Sequence, residues 1–317
     1  MRTKRSLDFV VIGAQKSATT SLHHYLSKHP EILLPIEKEA PFFSRSDVFN
    51  RGYDWYINAV FPNTSSGRLI GTVTPQYMAY PGVAERIWNY CPEAKLIAIL
   101  RDPIDRARSH HAMRARAFGE CITLQQAIAE QIRPEALSES RVDPTPSNSF
   151  VTWGEYGRIL TDYLKYFDRS QLLIIFQRDL ANQPESTLHL VYQFLGLGSI
   201  PIPSNQKRFN SSEVRLRSPI TVLIANAIYR TKTKDSVKRF IPDRLKRRLR
   251  FWSIVNRNVS NAPVDNSLTD ELLAKLAQHY LDDMRLLKEI IGIEPPWRET
   301  LECYCTAGNV PAVGPEL

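Results

Sequence analysis

The stretch Gly13-Ala14-Gln15-Lys16-Ser17-Ala18-Thr19-Thr20-Ser21 gathers one ammonium and four hydroxyls on a short loop. The apolar run Phe9-Val10-Val11-Ile12 comes before it and a helical pattern opens at Leu22, so the loop joins a buried strand to the first turn of a helix. A helix start offers unpaired N–H groups and the positive end of the macrodipole. With Lys16 beside Ser17, Thr19, Thr20 and Ser21, this junction suits a phosphate or sulfate ester. A nucleoside-triphosphate loop would place a second glycine and then lysine at the helix entry, with a hydroxyl after it for Mg²⁺. Ala18 and Thr19 stand there instead, and the lysine comes early, at position 16. Metal–ATP chemistry is disfavoured; a hydroxyl-rich helix cap without a ligand stays open on this loop alone.

A second junction has the same character. Lys95-Leu96-Ile97-Ala98-Ile99-Leu100 reads as a strand buried on both faces and runs into Arg101-Asp102-Pro103-Ile104-Asp105-Arg106-Ala107-Arg108-Ser109-His110-His111. Pro103 suits the first turn of a helix. Arg101 falls at the carboxyl end of its strand, where open α/β sheets bind ligands. Ser109 follows Arg101 by just over two helical turns, so a helix running alongside an anion brings both within reach.

These junctions need a sheet to hold them. Strands are expected at about 8–13, 69–73, 95–100 and 171–176, and helices at 19–28, 104–117, 122–133, 154–167, 185–195, 219–229 and 268–291. Such alternation argues for an α/β fold, a central parallel sheet flanked by helices on both faces. In the last helix, Leu272, Leu273, Leu276, Tyr280, Leu281, Met284, Leu287 and Ile291 form a stripe that faces the core. Residues 134–150 are turn-rich and polar and read as a flexible loop. No linker divides the chain, so residues 1–300 are expected as a single domain and 301–317 as a tail without an assigned role.

Composition narrows the function. At 317 residues, 43% hydrophobic and 23% charged, the chain can bury a real core. No apolar run is long enough to cross a membrane, and the basic start Met1-Arg2-Thr3-Lys4-Arg5 leads straight into the first strand, so a cytoplasmic location is expected. Cys91, Cys121, Cys303 and Cys305 are too scattered for a disulfide framework or a metal site. Ten Lys and Arg against two acids between Arg230 and Arg250 account for the whole +8 net charge. Basicity is thus one block, which argues against general nucleic-acid binding and leaves a solvated helix, a rim for an acidic ligand or a weak membrane-surface contact.

Together the two junctions resemble those of the sulfotransferases that use 3′-phosphoadenosine-5′-phosphosulfate (PAPS). GAQKSATTSL is similar to their 5′-phosphosulfate loop, and LRDPIDRARSHH to their 3′-phosphate motif. Lys38-Glu39-Ala40-Pro41-Phe42-Phe43 resembles the K-E-x-[HP]-F-F element of the glycan-type and bacterial members. The likeness continues through Gly154-Glu155-Tyr156, Asp179-Leu180, Phe194-Leu195-Gly196-Leu197 and Asn210-Ser211-Ser212 to Trp297. It implies a P-loop-like three-layer sandwich with C-terminal helices, PAPS as cosubstrate, adenosine 3′,5′-bisphosphate as product and no required metal. Lys16, Ser17, Ala18, Thr19, Thr20 and Ser21 would hold the phosphosulfate, with Lys16 stabilising the leaving phosphate. Arg101 and Ser109 would hold the 3′-phosphate, with Lys207, Arg208 or Asn210 as a further contact. Glu39 would be the general base, its basicity raised by the adjoining Phe42 and Phe43 and opposed by Lys38.

Two positions depart from the family pattern. Val73 stands where glycan-type members carry a lysine, and Ala18 stands where glycine is common, which is expected to tolerate a helical turn but not positive φ. His110 and His111 are expected to pack rather than react, and one of His23 and His24 to approach the acceptor. A nucleotide-dependent phosphotransferase and a non-catalytic adenosine-bisphosphate-binding protein are the competing readings. The acceptor, expected to be an intracellular small molecule, lipid or saccharide with a hydroxyl or amine, is not written in the sequence; bacterial-type members act on secondary metabolites among others.

Overall fold

The computed structural model describes residues 5–35, 38–61, 67–118, 122–201 and 264–307. One sheet contains β1 (Phe9–Gly13), β2 (Ile32–Leu33), β3 (Leu69–Val73), β4 (Lys95–Leu100) and β5 (Leu172–Phe176), in the order β2-β3-β1-β4-β5. Every neighbouring pair is parallel; Val10 lies opposite both Thr72 and Leu96, and Ala98 opposite Ile174. Four strands coincide with the apolar runs that announce them. The edge strand β2 has only two residues, too few to carry a period.

The helices are α1 (Thr19–Leu26), α2 (Ser46–Phe49), α3 (Tyr53–Val60), α4 (Val83–Tyr90), α5 (Pro103–Phe118) and α6 (Leu124–Gln131). They continue with α7 (Pro134–Val142), α8 (Tyr156–Tyr163), α9 (Gln177–Asn182), α10 (Pro184–Leu195), α11 (Asp270–Ile291) and α12 (Arg298–Ala307). Because side chains alternate along a strand, β1 and β4 feed two cores at once. Val10, Ile12, Leu96, Ala98 and Leu100 join the larger core, with residues of α3, α4, α5, α6, α8 and α11. Phe9, Val11, Ile97 and Ile99 face the other way, onto Leu22 and Leu26 of α1 and Leu188, Val191 and Leu195 of α10. The result is helix, sheet and helix in three layers.

The segment 134–150 is not the flexible loop its composition suggests. Pro134, with its φ preset, begins α7 at the first helical turn, and Leu137 and Ser140 are buried. Hydrogen bonds then fix the return: Gln131 donates to the Ser147 carbonyl at 2.8 Å and accepts from the Phe150 N–H at 2.7 Å. Ser140 and Ser149 are buried there, while Glu135, Ser138, Glu139, Asp143, Thr145 and Ser147 stay exposed on an ordered segment.

In α11 the expected stripe is buried at Leu272, Leu276, Tyr280, Met284 and Leu287, and the helix ends on Gly292 at φ 76. Trp297 packs edge-on against Tyr156 and Phe176, and Leu301 of α12 is fully buried. The expected helix at 219–229, the basic block Arg230–Arg250, Lys207, Arg208, Asn210 and Cys121 lie outside the described residues.

Candidate active site

β1 and β4 are neighbours whose outgoing chains turn to opposite sides of the sheet, and such a divergence leaves a crevice at the carboxyl ends. The loop after β1 fills it. Ala14 N–H donates to the Ile99 carbonyl at 2.7 Å, extending the ladder past the strand. Gly13 is required by what comes next to it: a Cβ there would stand 2.6 Å from Met78 Cβ, in the loop after β3. Lys16 and Ala18 both adopt left-handed backbone, at φ 72 and 67. For Ala18 this corrects the expectation that alanine would refuse positive φ; a single methyl tolerates the region at a cost of about 1–2 kcal/mol. That turn starts α1 at Thr19 without any side-chain cap, so its first N–H groups face the crevice uncapped.

Charge gathers around the loop. Burial, then the neighbouring cations Arg101, Lys38 and Arg116, push the Lys16 ammonium down to about 8, with Glu39 opposing. A half-buried cation pressed by three others is an arrangement that an anionic ligand relieves. Arg101 leaves β4 half-buried and shares its guanidinium between the Lys16 carbonyl at 3.5 Å and the Asp105 carboxylate at 3.2 Å. Asp102 caps α5 by accepting from the Asp105 N–H at 2.9 Å. Ser17 is fully buried and packs against the Tyr156 hydroxyl at the start of α8; Thr19 is buried, Ser21 half-buried and Thr20 exposed. Ser109 lies half-buried further along α5.

Glu39 reaches the same crevice from a different segment. The loop after β3 holds that segment by its backbone: Thr74 Oγ1 accepts from the Ala40 N–H at 3.2 Å, and the Tyr77 hydroxyl donates to the Ala40 carbonyl. Tyr77 is held in turn by Tyr163, whose hydroxyl donates to its carbonyl at 2.7 Å. Phe42 and Phe43 are fully buried in an aromatic cluster, with Phe42 stacked on Tyr56 at 4.5 Å between ring centres. They therefore anchor the segment and do not enclose the carboxylate, which corrects the expected desolvation. The Glu39 side chain is 43% exposed, with Oε1 3.3 Å from Lys38 Nζ and Oε2 accepting from Gln76 Nε2 at 2.9 Å.

The histidines divide as their surroundings dictate. Burial, then Lys38 and His24, lower His23 to about 4, against an opposing pull from Glu39; its Nε2 is buried without a partner among the described residues. His110 is fully buried and stacked on Trp153, 5.1 Å between centres, and His111 has both ring nitrogens engaged, by Asn266 and the Ile122 carbonyl. Gln76, Arg116 and Tyr156 join the site without having been singled out for it. Gln76 lies just after Thr74-Pro75, three residues past Val73.

Behind the site, the start of α8 is fixed by buried charge. Glu155 accepts from Arg141 at 2.7 Å, Arg158 at 2.5 Å and His279 at 3.0 Å. Burial alone would raise its pKa, but His279, Arg141 and Arg158 bring it down to about 2. The Asp283 carboxylate receives the Gly157 and Arg158 N–H groups, both at 2.8 Å, and burial pushes it up to about 6. A side chain at Gly157 would strike the Asp283 carbonyl at 2.3 Å, so only glycine lets α8 and α11 approach this closely.

A loop with free helix N–H groups, a cation cluster and an exposed, anchored carboxylate can bind a phosphate or sulfate ester and accept a proton beside it. Among the described residues, no helix is long and apolar enough to cross a membrane. Comparison with known proteins gives the same direction. The chain is 27% identical over 194 residues to the human bifunctional heparan sulfate N-deacetylase/N-sulfotransferase 2, covering 60% of this chain and 22% of that protein. It is 29% identical over 189 residues to the mouse heparan sulfate glucosamine 3-O-sulfotransferase 6, covering 59% and 52%. The match thus spans about a fifth to a half of these relatives' own length. The crystal structure of a sulfotransferase from Alicyclobacillus acidocaldarius shares the fold, with a TM-score of 0.62 at 23% identity over 93% of this chain and 99% of that one. The sulfotransferase domain model matches residues 6–216, a span that contains both junctions and Glu39, and the chain belongs to the PAPS-dependent sulfotransferase family.

Proposed function

We propose that the protein moves a sulfuryl group from PAPS to a hydroxyl or amine of a saccharide or other small polar acceptor, with Glu39 as general base. The observation that carries this reading is the meeting of Lys16 and Glu39 at one crevice: an ammonium crowded by Lys38, Arg101 and Arg116, beside a carboxylate held at both oxygens. The acceptor class is supported by relatives named for N- and 3-O-sulfation of heparan sulfate.

PAPS supplies the sulfuryl group and leaves as adenosine 3′,5′-bisphosphate. Negative charge grows on the departing 5′-phosphate, and Lys16 with the uncapped N–H groups at Thr19 and Thr20 neutralises it. Ser17 and Ser21 supply further hydroxyl donors, while the backbone of Ala18 shapes the turn. Arg101 and Ser109 bind the 3′-phosphate and fix the cosubstrate's register. Glu39 takes the acceptor's proton, and its open setting gives a bulky acceptor room.

The test is a screen of sugars, amino sugars, lipids and other intracellular small molecules with PAPS, read by mass spectrometry for the gain of one sulfuryl group. Transfer that needs PAPS and is not supported by ATP bears the proposal out. Phosphoryl transfer from ATP, or adenosine bisphosphate binding without any turnover, contradicts it.

A further inference from the structure

Gln76 touches the Glu39 carboxylate, yet half of its amide is unused. A carboxylate only accepts, so the amide nitrogen must face Glu39, as the 2.9 Å contact from Nε2 to Oε2 requires. The amide is planar, and its carbonyl oxygen is thereby turned to the other side. That oxygen is buried and has no hydrogen-bond partner among the described residues. A buried acceptor left unpaired is costly, and a ligand that brings a donor removes the cost.

The position of Gln76 is imposed rather than adaptable. The flanking Thr74 and Tyr77 are fully buried and bonded to the Ala40 backbone, and the Met78 N–H donates to the Ile12 carbonyl at 2.8 Å. The backbone that carries Gln76 is therefore fixed relative to β1, and its amide nitrogen is bonded to Glu39.

We propose that Gln76 selects the acceptor: its nitrogen fixes Glu39 against the group to be sulfated, and its carbonyl oxygen accepts a hydrogen bond from a second donor on the adjacent atom. The favoured acceptor is a vicinal diol or amino alcohol, as in a saccharide, and an isolated alcohol or phenol leaves Gln76 unpaired. This deepens the proposed function and rests on it for the part played by Glu39.

The experiment measures binding, so that it does not depend on the base. With saturating adenosine 3′,5′-bisphosphate, dissociation constants are measured by ligand-observed NMR for methyl β-D-glucosaminide, methyl β-D-glucoside and their monodeoxyfluoro analogues. Fluorine keeps the size of a hydroxyl but cannot donate. Wild type is expected to lose roughly 5–50-fold in affinity for one analogue in a series. Gln76→Met is expected to bind that analogue and its parent within about twofold of each other. Gln76→Glu, which keeps an outward oxygen, should retain the discrimination while turnover falls, because Glu39 then shares a proton with its new neighbour. Equal profiles for wild type and Gln76→Met, or no measurable binding of any parent sugar, overturn the proposal. Failure of the base reading looks different: Glu39→Gln would keep its turnover while wild type still discriminated among the analogues.

Discussion

The Arg101 guanidinium reaches back to the Lys16 carbonyl, 3.5 Å from Nη1 to oxygen, and ties the head of α5 to the loop after β1. The two candidate anion-binding junctions are thus one surface, built where β1 and β4 run side by side. Their parts can still be separated by what each is asked to do.

In the proposed mechanism Lys16 faces the developing charge. Lys16→Ala should lower kcat by roughly 10²–10³ while the thermal midpoint changes little, because the ammonium is crowded by like charges and contributes little to folding. Steady-state kinetics beside a melting curve check this; a variant with most of its kcat intact removes Lys16 from the mechanism.

In the proposed mechanism Arg101 and Ser109 hold only the 3′-phosphate. Arg101→Ala and Ser109→Ala should weaken adenosine 3′,5′-bisphosphate, while adenosine 5′-phosphate, which lacks that group, binds wild type and variants about equally. Isothermal titration measures both. Equal weakening of the two ligands would mean that Arg101 acts by holding the Lys16 carbonyl.

Binding should also carry a proton signature. Lys16 sits at about 8 in the free protein, and an anion beside it raises that value. At pH 7 the ammonium is already largely charged, so binding takes up only about 0.1 proton; near pH 9 uptake should approach about one, and affinity should fall as pH rises through 8. Titrations in buffers of different ionisation enthalpy read the proton count directly. Uptake independent of pH would contradict the placement of Lys16.

The sequence made the sheet readable because Phe9–Gly13, Leu69–Val73, Lys95–Leu100 and Leu172–Phe176 are largely buried and almost wholly apolar. Lys16 and Arg101 were legible as well, each at the end of such a run. What escaped was set by tertiary context. Residues 134–150 look like a loose loop, but Ser140 bonds Thr152, and the Ser147 carbonyl and Phe150 N–H bond Gln131, inside the protein. Ala18 takes a glycine's conformation because α1 must start there. Phe42 and Phe43 neighbour Glu39 in sequence but point into the core, so adjacency misled about its surroundings. Gln76 is remote from Glu39 in sequence, and only the fold brings them together.

The charge cluster behind the site sets a pH dependence of stability. Glu155 lies near 2 when folded against 4.5 for an ordinary glutamate, so its contribution is complete above pH 4.5 and is lost as pH falls toward 2. The shift corresponds to about 3 kcal/mol. Asp283 runs the other way: raised to about 6 from 3.8, it lowers stability as pH rises through that window. Glu155→Gln should cost roughly 2–4 kcal/mol at pH 7, toward the low end because Arg141 and Arg158 reach solvent. Urea denaturation at pH 7 and pH 3 checks both: the wild-type advantage over Glu155→Gln should shrink at the lower pH, and a constant gap would contradict the assignment.

The most direct measurement is kcat of Glu39→Gln on a hydroxyl acceptor found by the screen, together with its affinity for PAPS. Glutamine keeps the size of Glu39 and one of its two acceptor oxygens but cannot take up the proton. A fall in kcat of roughly 10²–10⁴ with PAPS affinity within about twofold of wild type is the expected result. A Glu39→Gln enzyme that stays active, while substitution of His23 abolishes turnover, would contradict it and move the base to the histidine on α1.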